Sequence, residues 1–164
     1  MLTDTLCTRC GLCCDGTLLG DVELTGPAEA ARLELLGLTL DDDEAGVELL
    51  ALPCTAARGT RCTIYADRPQ CCRTFACRLL QQAEGGVVPV AIAVERIAAA
   101  RAQVAHVKTL LARVERRPAR LPLQERYADA VAGIAAGEWR GVGHRAALHA
   151  AMAALDLTIR TTFL

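Results

Sequence analysis

Cysteine is the residue that most constrains this chain, because four cysteines crowd the segment CTRCGLCC between Cys7 and Cys14. All nine cysteines lie between Cys7 and Cys77, and none follows in the rest of the 164 residues. An odd number of cysteines leaves at least one thiol outside any set of intramolecular disulfides. Bonds made by cysteine sulfur can therefore hold together only the first part of the chain, and the second part must fold without them.

The N-terminal sequence MLTDTLCTRC lacks both the basic start and the apolar stretch of a secretory signal. The longest apolar run, VVPVAIAV, is far shorter than the roughly 20 residues that span a bilayer. We therefore expect a cytoplasmic protein without a membrane segment. Cytoplasmic thiols are kept reduced, and thiolates are the soft ligands that zinc and iron–sulfur clusters select, so we predict metal binding rather than a disulfide framework.

The break in cysteine content predicts a cysteine-cluster metal-binding domain at 1–84 and a helical region at 87–164, joined at Gly85-Gly86. The predicted class is α+β, with an irregular, metal-stabilised first domain that has short strands and a mainly helical C-terminal part of about three helices. Ordering the backbone costs about 1–2 kcal/mol per residue. A structural zinc ion stabilises small domains by about 10–16 kcal/mol, so metal would hold the loop-rich first part together.

Local patterns predict the elements of the first part. Residues 24–37 are expected to form a short helix with Pro27 in its first turn. A second helical turn is predicted from Thr39 and a short strand over 47–54. A glycine turn followed by a further strand is predicted over 58–65.

The second part has the apolar period of a helix. One helix of about 25 residues is predicted, ending at Pro118 and Pro122, and further helices are predicted over 123–137 and 143–156. The other faces of the long helix carry Arg96, Arg101, Lys108, Arg113 and Arg116. Its apolar seam, spaced alternately by four and three, consists of Ala93, Ile97, Ala100, Val104, Val107, Leu111 and Val114.

The spacing Cys7-x2-Cys10-x2-Cys13-Cys14 is typical of turns in which two sulfurs converge on one metal. Neighbouring side chains usually diverge, so Cys13 and Cys14 are expected to serve two separate metals or to bridge two ions. Two four-coordinate sites fit the number of thiols, with three of these cysteines in one site and Cys14 in the other, but the pairing stays open. Zinc at two sites and an iron–sulfur cluster both fit, and the spacing resembles the three-plus-one ligands of bacterial ferredoxins.

The segments CTRCGLCC, PC and CTIYADRPQCCRTFAC together resemble the CxxCxxCC cysteine-cluster family, also called YkgJ-like, whose members are described as zinc- or iron-chelating proteins. The resemblance covers residues 7–77 and implies metal binding without supplying a reaction. Cys71 falls at a variable position of the pattern and is the surplus thiol. The eight metal ligands that the resemblance implies are Cys7, Cys10, Cys13, Cys14, Cys54, Cys62, Cys72 and Cys77.

Five other residues of the matching motif have roles that can be predicted. Pro69 and the residue before it are confined to turn or extended geometry, which can aim Cys72. Arg68 and Arg73 can donate N–H bonds to thiolates and offset their charge, or can form surface salt bridges. Tyr65 and Phe75 are the candidates for apolar cover.

The sequence contains no recognised catalytic motif. A catalytic zinc needs an open coordination position and usually a carboxylate or histidine nearby, whereas all-cysteine sites are generally closed. Asp15 and Asp67 are the acids that adjoin the cysteine motifs, and His106, His144 and His149 are predicted to be ordinary helix residues. Enzyme activity is left open, and a non-catalytic role is favoured.

The net charge of −1 conceals an asymmetry between the two parts. Residues 1–60 hold eleven acids and three bases, whereas 61–164 hold eight acids and fifteen bases, so the parts are expected to attract one another. The stretch 96–126 holds eight bases and two acids, but an aromatic content of only 3% disfavours nucleic-acid binding. The apolar seam predicts a protein partner or self-association through the C-terminal helices, or burial against the chain's own helices.

Taken together, the patterns predict a cytoplasmic metal-binding protein with thiolate sites that act structurally, in metal handling or in interactions. The alternative is an iron–sulfur protein with a redox or accessory role.

Overall fold

A computed structural model describes residues 2–114, 120–136 and 142–164 of the chain. These residues form an α+β fold with a mainly helical C-terminal part, which confirms the predicted class. The helices are α1 Leu2–Cys10, α2 Pro27–Leu35, α3 Gln70–Thr74, α4 Arg78–Glu84, α5 Val90–Leu111, α6 Leu123–Ala135 and α7 Val142–Thr162. The strands are β1 Asp21–Glu23, β2 Leu40–Asp42, β3 Glu48–Ala51, β4 Ala57–Arg58 and β5 Arg61–Cys62, and a 3-10 turn spans Tyr65–Asp67.

A small sheet packs with α2 in the first part of the chain. Its strand order is β1-β3-β2, both pairings are antiparallel, and Leu50 of β3 stands opposite Val22 on one side and Leu40 on the other. Leu50 and Leu33 of α2 are fully buried and form the centre of a small apolar cluster. Strands β4 and β5 make a separate two-stranded ribbon.

The main core lies among the helices and includes residues from the cysteine segment. Helix α5 packs along α7 and also contacts α1, α4 and α6. Leu6 of α1 and Leu12 of the following loop are buried in the same cluster as Val107 of α5, Leu155 of α7 and Phe163. The helical part therefore forms its core together with the N-terminal cysteine segment.

The structure confirms most local predictions in the first part and contradicts one. The predicted helix over 24–37, the strand over 47–54 and the glycine turn with its strand are observed as α2, β3 and the β4–β5 ribbon. The helical turn predicted from Thr39 is wrong, because Leu40 begins strand β2 and pairs with β3. The acidic run that suggested a helix instead makes a turn in which Asp43 Oδ1 accepts the backbone N–H groups of residues 45 and 47, both at 2.8 Å.

The long helix is observed as α5, and its predicted seam is buried against the chain's own helices. The helix ends at Leu111, so Val114 of the seam lies beyond it and is half-buried. His144 Nε2 lies 2.8 Å from the carbonyl oxygen of Leu110. If α5 continued, a backbone N–H of its next turn would bond to this oxygen instead. The predicted end at Pro118 and the exposed face at Arg116 lie outside the described residues.

The predicted domain boundary at Gly85-Gly86 lies between α4 and α5. The division into 1–84 and 87–164 stays a prediction, and the main core crosses it, since α1, α4, α5 and α7 all contribute to it. Among the described helices, none combines the length and apolar character needed to cross a membrane.

Leu12 provides a test of this shared core, because it lies within the cysteine motif and is only 1% exposed. We expect Leu12→Ala to lower the free energy of unfolding by about 2–5 kcal/mol through lost burial and a residual cavity. Leu35→Ala is the matched control, since Leu35 is 90% exposed and should change stability by less than about 0.5 kcal/mol. Denaturant unfolding followed by helical circular dichroism measures both, and equal stability of the two variants would contradict the shared core.

Candidate metal centre

Helix α1 and the loop after it carry the first four cysteines. Cys7 and Cys10 lie on α1, and Gly11 turns the chain at a φ of 68° while its N–H bonds to the Cys7 carbonyl oxygen at 3.2 Å. The N–H groups of Thr17 and Leu18 both bond to the Leu12 carbonyl oxygen, at 3.1 and 3.0 Å. This compact loop turns back on itself between α1 and β1, and it carries the two adjacent cysteines.

Two glycines allow this loop to approach other segments closely. A Cβ at Gly11 would lie 3.0 Å from the backbone Cα of Thr60, and one at Gly16 would lie 3.1 Å from the Cα of Pro122. Both glycines have positive φ, at 68° and 72°, a conformation that other residues adopt at a cost. The cysteine loop is thereby packed between the β4–β5 turn and the start of α6.

Backbone bonds join this loop to the later cysteines. The Cys54 N–H donates to the Cys14 carbonyl oxygen at 2.8 Å, so these two residues are direct neighbours. Cys62 is on β5, opposite Ala57 of β4. Cys71 and Cys72 lie on the short helix α3, after the fully buried Pro69 at its N-cap, and Cys77 precedes α4.

All nine cysteines are free thiols. Cys7 is exposed, Cys10 is buried and the remaining seven are half-buried. The charges that shift the thiol pKa values favour two groups of four, which meet at the adjacent Cys13 and Cys14: Cys14 also acts on Cys13, and Cys7 also acts on Cys14.

The first thiol group consists of Cys7, Cys10, Cys13 and Cys77. Burial raises the pKa of Cys10 to about 12, although the Leu12 N–H bonds to the sulfur and opposes the rise, and the charges of Cys77 and Cys7 add to it. Burial also raises the pKa of Cys13, and the charges of Cys10, Cys14, Cys77 and Cys7 add further. The residue Cys7 is exposed as a whole, but protein atoms packed around its sulfur still raise its pKa, and the charge of Cys77 adds to the rise.

The second thiol group consists of Cys14, Cys54, Cys62 and Cys72. Burial raises the pKa of Cys14 to about 11, with Cys54 and Cys62 as the next contributors. Burial raises the pKa of Cys54, the N–H groups of residues 56 and 57 lower it by bonding to the sulfur, and Cys62 raises it. The pKa of Cys72 is raised first by its hydrogen bond to Cys71 and by burial, and further by Cys14 and Cys54.

Two adjoining cavities separate five of the eight thiols in the same way. A cavity of about 80 Å³ is lined by Cys10 and Cys77 but by none of the cysteines from position 54 to 72. A larger cavity of about 380 Å³ is lined by the cysteines at 54, 62, 71 and 72 but by neither Cys10 nor Cys77. Cys7, Cys13 and Cys14 line both cavities and form the boundary between them.

The donor set fits a thiophilic metal, although the thiols are not yet gathered around one. Within the described ranges, no three His, Cys, Asp or Glu side chains have the arrangement needed to hold an ion as they stand. Backbone N–H groups nevertheless bond to the sulfurs of Cys10 and Cys54, which favours their charged, metal-binding form. The ligand role of the eight predicted cysteines therefore stays a prediction, and the structure shows which of them are neighbours.

Basic residues of α5 contact the cysteine loop, as the charge asymmetry predicts. Lys108 Nζ lies 2.9 Å from Asp15 Oδ2, and Asp15 Oδ1 also accepts the Thr17 N–H at 3.1 Å. Arg101 Nη1 donates to the Cys10 carbonyl oxygen at 2.7 Å. The positive helix thus lies beside a loop that would carry several negative thiolates.

The two motif arginines bond to backbone oxygens. Arg68 Nε donates to the Tyr65 carbonyl oxygen at 3.1 Å, and its guanidinium stacks on the Tyr65 ring at 3.7 Å. Arg73 Nε donates to the Arg68 carbonyl oxygen at 2.8 Å and a terminal nitrogen bonds to Ala66. Both arginines thus fix the backbone ahead of α3. Arg68 also acts on a thiol electrostatically, since its charge lowers the pKa of Cys7 against the dominant effect of burial.

The two aromatic residues lie where cover was predicted. Tyr65 and Phe75 both line the larger cavity, and Phe75 also lines the smaller one while remaining 40% exposed. Tyr65 has a second role, because its hydroxyl donates to Asp4 Oδ1 of α1 at 2.8 Å.

The histidines of the helical part lie away from the cysteines. His144 contacts Leu110 of α5, and His149 bonds through Nδ1 to the Tyr127 hydroxyl, whose ring packs edge-on against it.

Sequence reasoning missed several residues that position the site. Asp4, Arg101 and Lys108 hold the cysteine loop and its neighbours, and no short motif identifies them. Helix α1 had a detectable signal, because Leu2, Leu6 and Cys10 recur every four residues once cysteine is counted as apolar.

Nine free thiols on a small α+β scaffold, eight of them in two neighbouring groups, define a cysteine-cluster protein. The chain belongs to the CxxCxxCC family, described as a "putative zinc- or iron-chelating domain", whose model matches residues 6–91. No match was found among curated proteins or among solved structures. The family supports the chelation of zinc or iron and gives no reaction.

Gly11 offers a test of the loop geometry. We expect Gly11→Ala to lower stability and metal content, because a φ of 68° costs a non-glycine residue about 1–2 kcal/mol and the new Cβ would meet Thr60. Gly46→Ala is the matched control, since Gly46 has a φ of 77° but open space around it. Thermal unfolding and bound-metal analysis of both variants give the comparison. An equal loss in the two would show that the contact with Thr60 is unimportant.

The raised thiol pKa values predict how metal affinity depends on pH. Cys10 and Cys14, with pKa values of about 12 and about 11, are protonated at neutral pH in the metal-free protein. A metal must displace these protons, so affinity rises by about tenfold per unit increase in pH for each proton displaced. Competition with a chelator of known affinity at pH 6, 7 and 8 measures this slope, and proton release into a weak buffer is an independent check. An affinity that is constant over this range would exclude protonated thiols as the ligands.

Proposed function

We propose that this protein binds two metal ions, one in the first thiol group and one in the second, and that the ions hold the cysteine segments together. The observation that carries the proposal is that Cys10 and Cys77 line one cavity, that Cys54, Cys62 and Cys72 line the other, and that Cys7, Cys13 and Cys14 lie at the boundary of both. The strongest thiol effects on the pKa of Cys14 come from Cys54 and Cys62, which favours the second group for Cys14, and those on Cys10 come from Cys77 and Cys7. Four thiolates are the complete ligand set of a structural zinc site. The proposed ligands are Cys7, Cys10, Cys13 and Cys77 for one ion and Cys14, Cys54, Cys62 and Cys72 for the other.

Zinc is the proposed metal, and its first role is structural. Beside the second thiol group the protein has only a small apolar cluster of six buried residues and strands of two to four residues. Such a small core stabilises little by itself, whereas thiolate–zinc bonds join segments far apart in the sequence. The proposal includes a cytoplasmic location, because it needs reduced thiols.

The side chains that line the two cavities support a non-catalytic role. In the part of the chain that the structure describes, neither cavity lining includes a carboxylate or a histidine that could serve as a base. Asp15 is bonded to Lys108 and to the Thr17 N–H instead.

An iron–sulfur cluster is the second candidate, with a redox or accessory role. Four cysteines also suffice for such a cluster, and the larger cavity of about 380 Å³ leaves space beyond that of a single ion. Elemental analysis and an absorption spectrum of protein purified without oxygen separate the two metals. Zinc without colour supports the first candidate, and iron with acid-labile sulfide and absorption near 400 nm supports the second.

A protein partner, or self-association through the C-terminal helices, remains part of the proposal. The predicted seam of α5 is covered by the chain itself, so a partner would have to use another surface.

Double substitutions test the proposed pairing of thiols. Cys13→Ser with Cys77→Ser removes two ligands of the first group only, so one ion of about two should remain. Cys13→Ser with Cys62→Ser removes one ligand from each group, so both ions should be lost or weakened. Both variants lack two cysteines, which makes them matched controls for each other. Native mass spectrometry counts the ions, and the same count for the two variants would contradict the pairing.

Circular dichroism should accompany the ion count, because a variant that loses metal by unfolding gives no information on pairing. Chelation of the wild-type protein gives the reference for complete removal. Retention of the fold after complete metal removal would contradict the structural role.

A further inference from the structure

We propose that helix α7 pairs in an antiparallel arrangement with α7 of a second copy of this chain, through an exposed and uncharged side of the helix. This inference rests on the self-association included in the proposed function, and it names the partner and the surface. It uses no property of the thiol groups.

Helix α7 has apolar residues on two opposite sides. One side packs on α5 and contributes Leu148, Leu155 and Ile159 to the main core. On the other side, uncharged residues recur at alternating spacings of three and four, and all of them are exposed. This α7 seam consists of Ala147, Ala150, Ala154, Leu157 and Thr161, and Leu164 continues it just beyond the helix end.

The charged side chains of α7 lie outside the seam. They are Arg145, Asp156 and Arg160, and the last two form an ion pair. Leu157 is 64% exposed and Leu164 is 50% exposed. A surface helix normally has polar and charged residues opposite its buried stripe, so an exposed, uncharged series that includes two leucines marks a contact surface.

Two hydrogen bonds prepare the C-terminal half of the seam for burial. The Leu164 N–H bonds to the Ile159 carbonyl oxygen at 3.1 Å, which keeps Leu164 on the last turn of the helix. The Thr161 hydroxyl donates to the Leu157 carbonyl oxygen at 2.8 Å. Contact with a partner therefore leaves the donor of Thr161 paired.

Side-chain size increases along the seam. Its first half has only alanines, whereas its second half has leucines and a threonine. A parallel pair of helices would oppose alanine with alanine in one half and leucine with leucine in the other, and these halves need different distances between the helix axes. An antiparallel pair opposes a small residue with a larger one in every layer. The layers, each formed with the second copy, are Leu157 with Ala154, Thr161 with Ala150, and Leu164 with Ala147.

A second copy fits this seam better than an unrelated protein does, because the seam is complementary to itself. Each layer occurs twice, once in each direction, as the two-fold symmetry of a dimer requires. The seam carries no charge, and the net charge of the chain is only −1, so two copies do not repel one another strongly.

Sedimentation equilibrium of the metal-loaded chain tests the inference. The mass of the wild-type protein should rise with concentration from that of one chain to that of two. Ala150→Glu should weaken this association by about tenfold or more, because the new carboxylate would lose water against Thr161 of the second copy. Ala102→Glu is the matched control, since Ala102 is an exposed alanine of α5 outside the seam. Circular dichroism checks that each variant is folded.

A charge pair tests the antiparallel direction. Thr161→Lys should also weaken association, whereas Ala150→Glu combined with Thr161→Lys should restore most of it. The two positions face each other between copies only in the antiparallel pair, since in a parallel pair each new charge would face its own like. Failure of the double variant to recover would refute the antiparallel pairing.

Metal analysis of the same samples separates this inference from the proposed function. Wild-type protein with fewer than two ions refutes the two-site function. Wild-type protein with two ions that stays monomeric at every concentration, or whose dimer is unaffected by Ala150→Glu, overturns only the inference. A monomer that co-sediments with phosphatidylglycerol vesicles, and loses this binding on Ala150→Glu, would assign the seam to a membrane surface and also overturn the inference.

Discussion

The loop between α1 and β1 is the constraint on which the rest of the structure depends, because its residues belong to three different environments at once. Leu12 is buried in the helical core, Cys10 has the largest thiol effect on the pKa of Cys13, and Cys54 and Cys62 have the largest thiol effects on that of Cys14. Adjacent side chains diverge along an irregular backbone, so the chain can serve both groups only where it turns sharply. Gly11 and Gly16 supply those turns and the close approach to other segments.

Charged contacts add to the shared apolar core in holding the helical part on this loop. A protein that gathers eight thiolates accumulates negative charge even after two divalent ions are bound, and surrounding donors and positive charge reduce the cost. Lys108 and Arg101 approach the loop from α5, while Arg68 and Arg73 fix the segment before α3 through backbone oxygens. The overall asymmetry between an acidic first part and a basic second part is thereby realised through a small number of specific contacts.

The sequence was sufficient for the class of protein, the candidate ligands and most local elements, but not for the grouping of thiols. The spacing around Cys13 and Cys14 requires two destinations, yet it does not say which distant cysteines meet which. Cys77 belongs with the first group because α4 packs on α1, a long-range contact that local spacing cannot contain. Likewise the sequence after Thr39 resembles the start of a helix, but Leu40 pairs with Leu50 and begins strand β2, and the acidic run continues from the strand into a turn. Contacts between segments far apart in the sequence decided both cases, and local sequence patterns do not contain them.

The attachment of Arg78 to the far end of α7 has a consequence for synthesis of the protein. The Arg78 N–H donates to the Phe163 carbonyl oxygen at 2.9 Å, and its guanidinium bonds to the backbone oxygen of Leu164, which lies 86 residues further along the chain, at 2.6 Å. Ribosomes add about 5–20 residues per second, so roughly 4–17 s separate the two partners. During that interval Cys7, Cys10, Cys13 and Cys77 have all been made, but the wall that Phe163 adds to their cavity has not. The nascent chain thus contains all four of these cysteines before Phe163 can complete the wall of the cavity that they line.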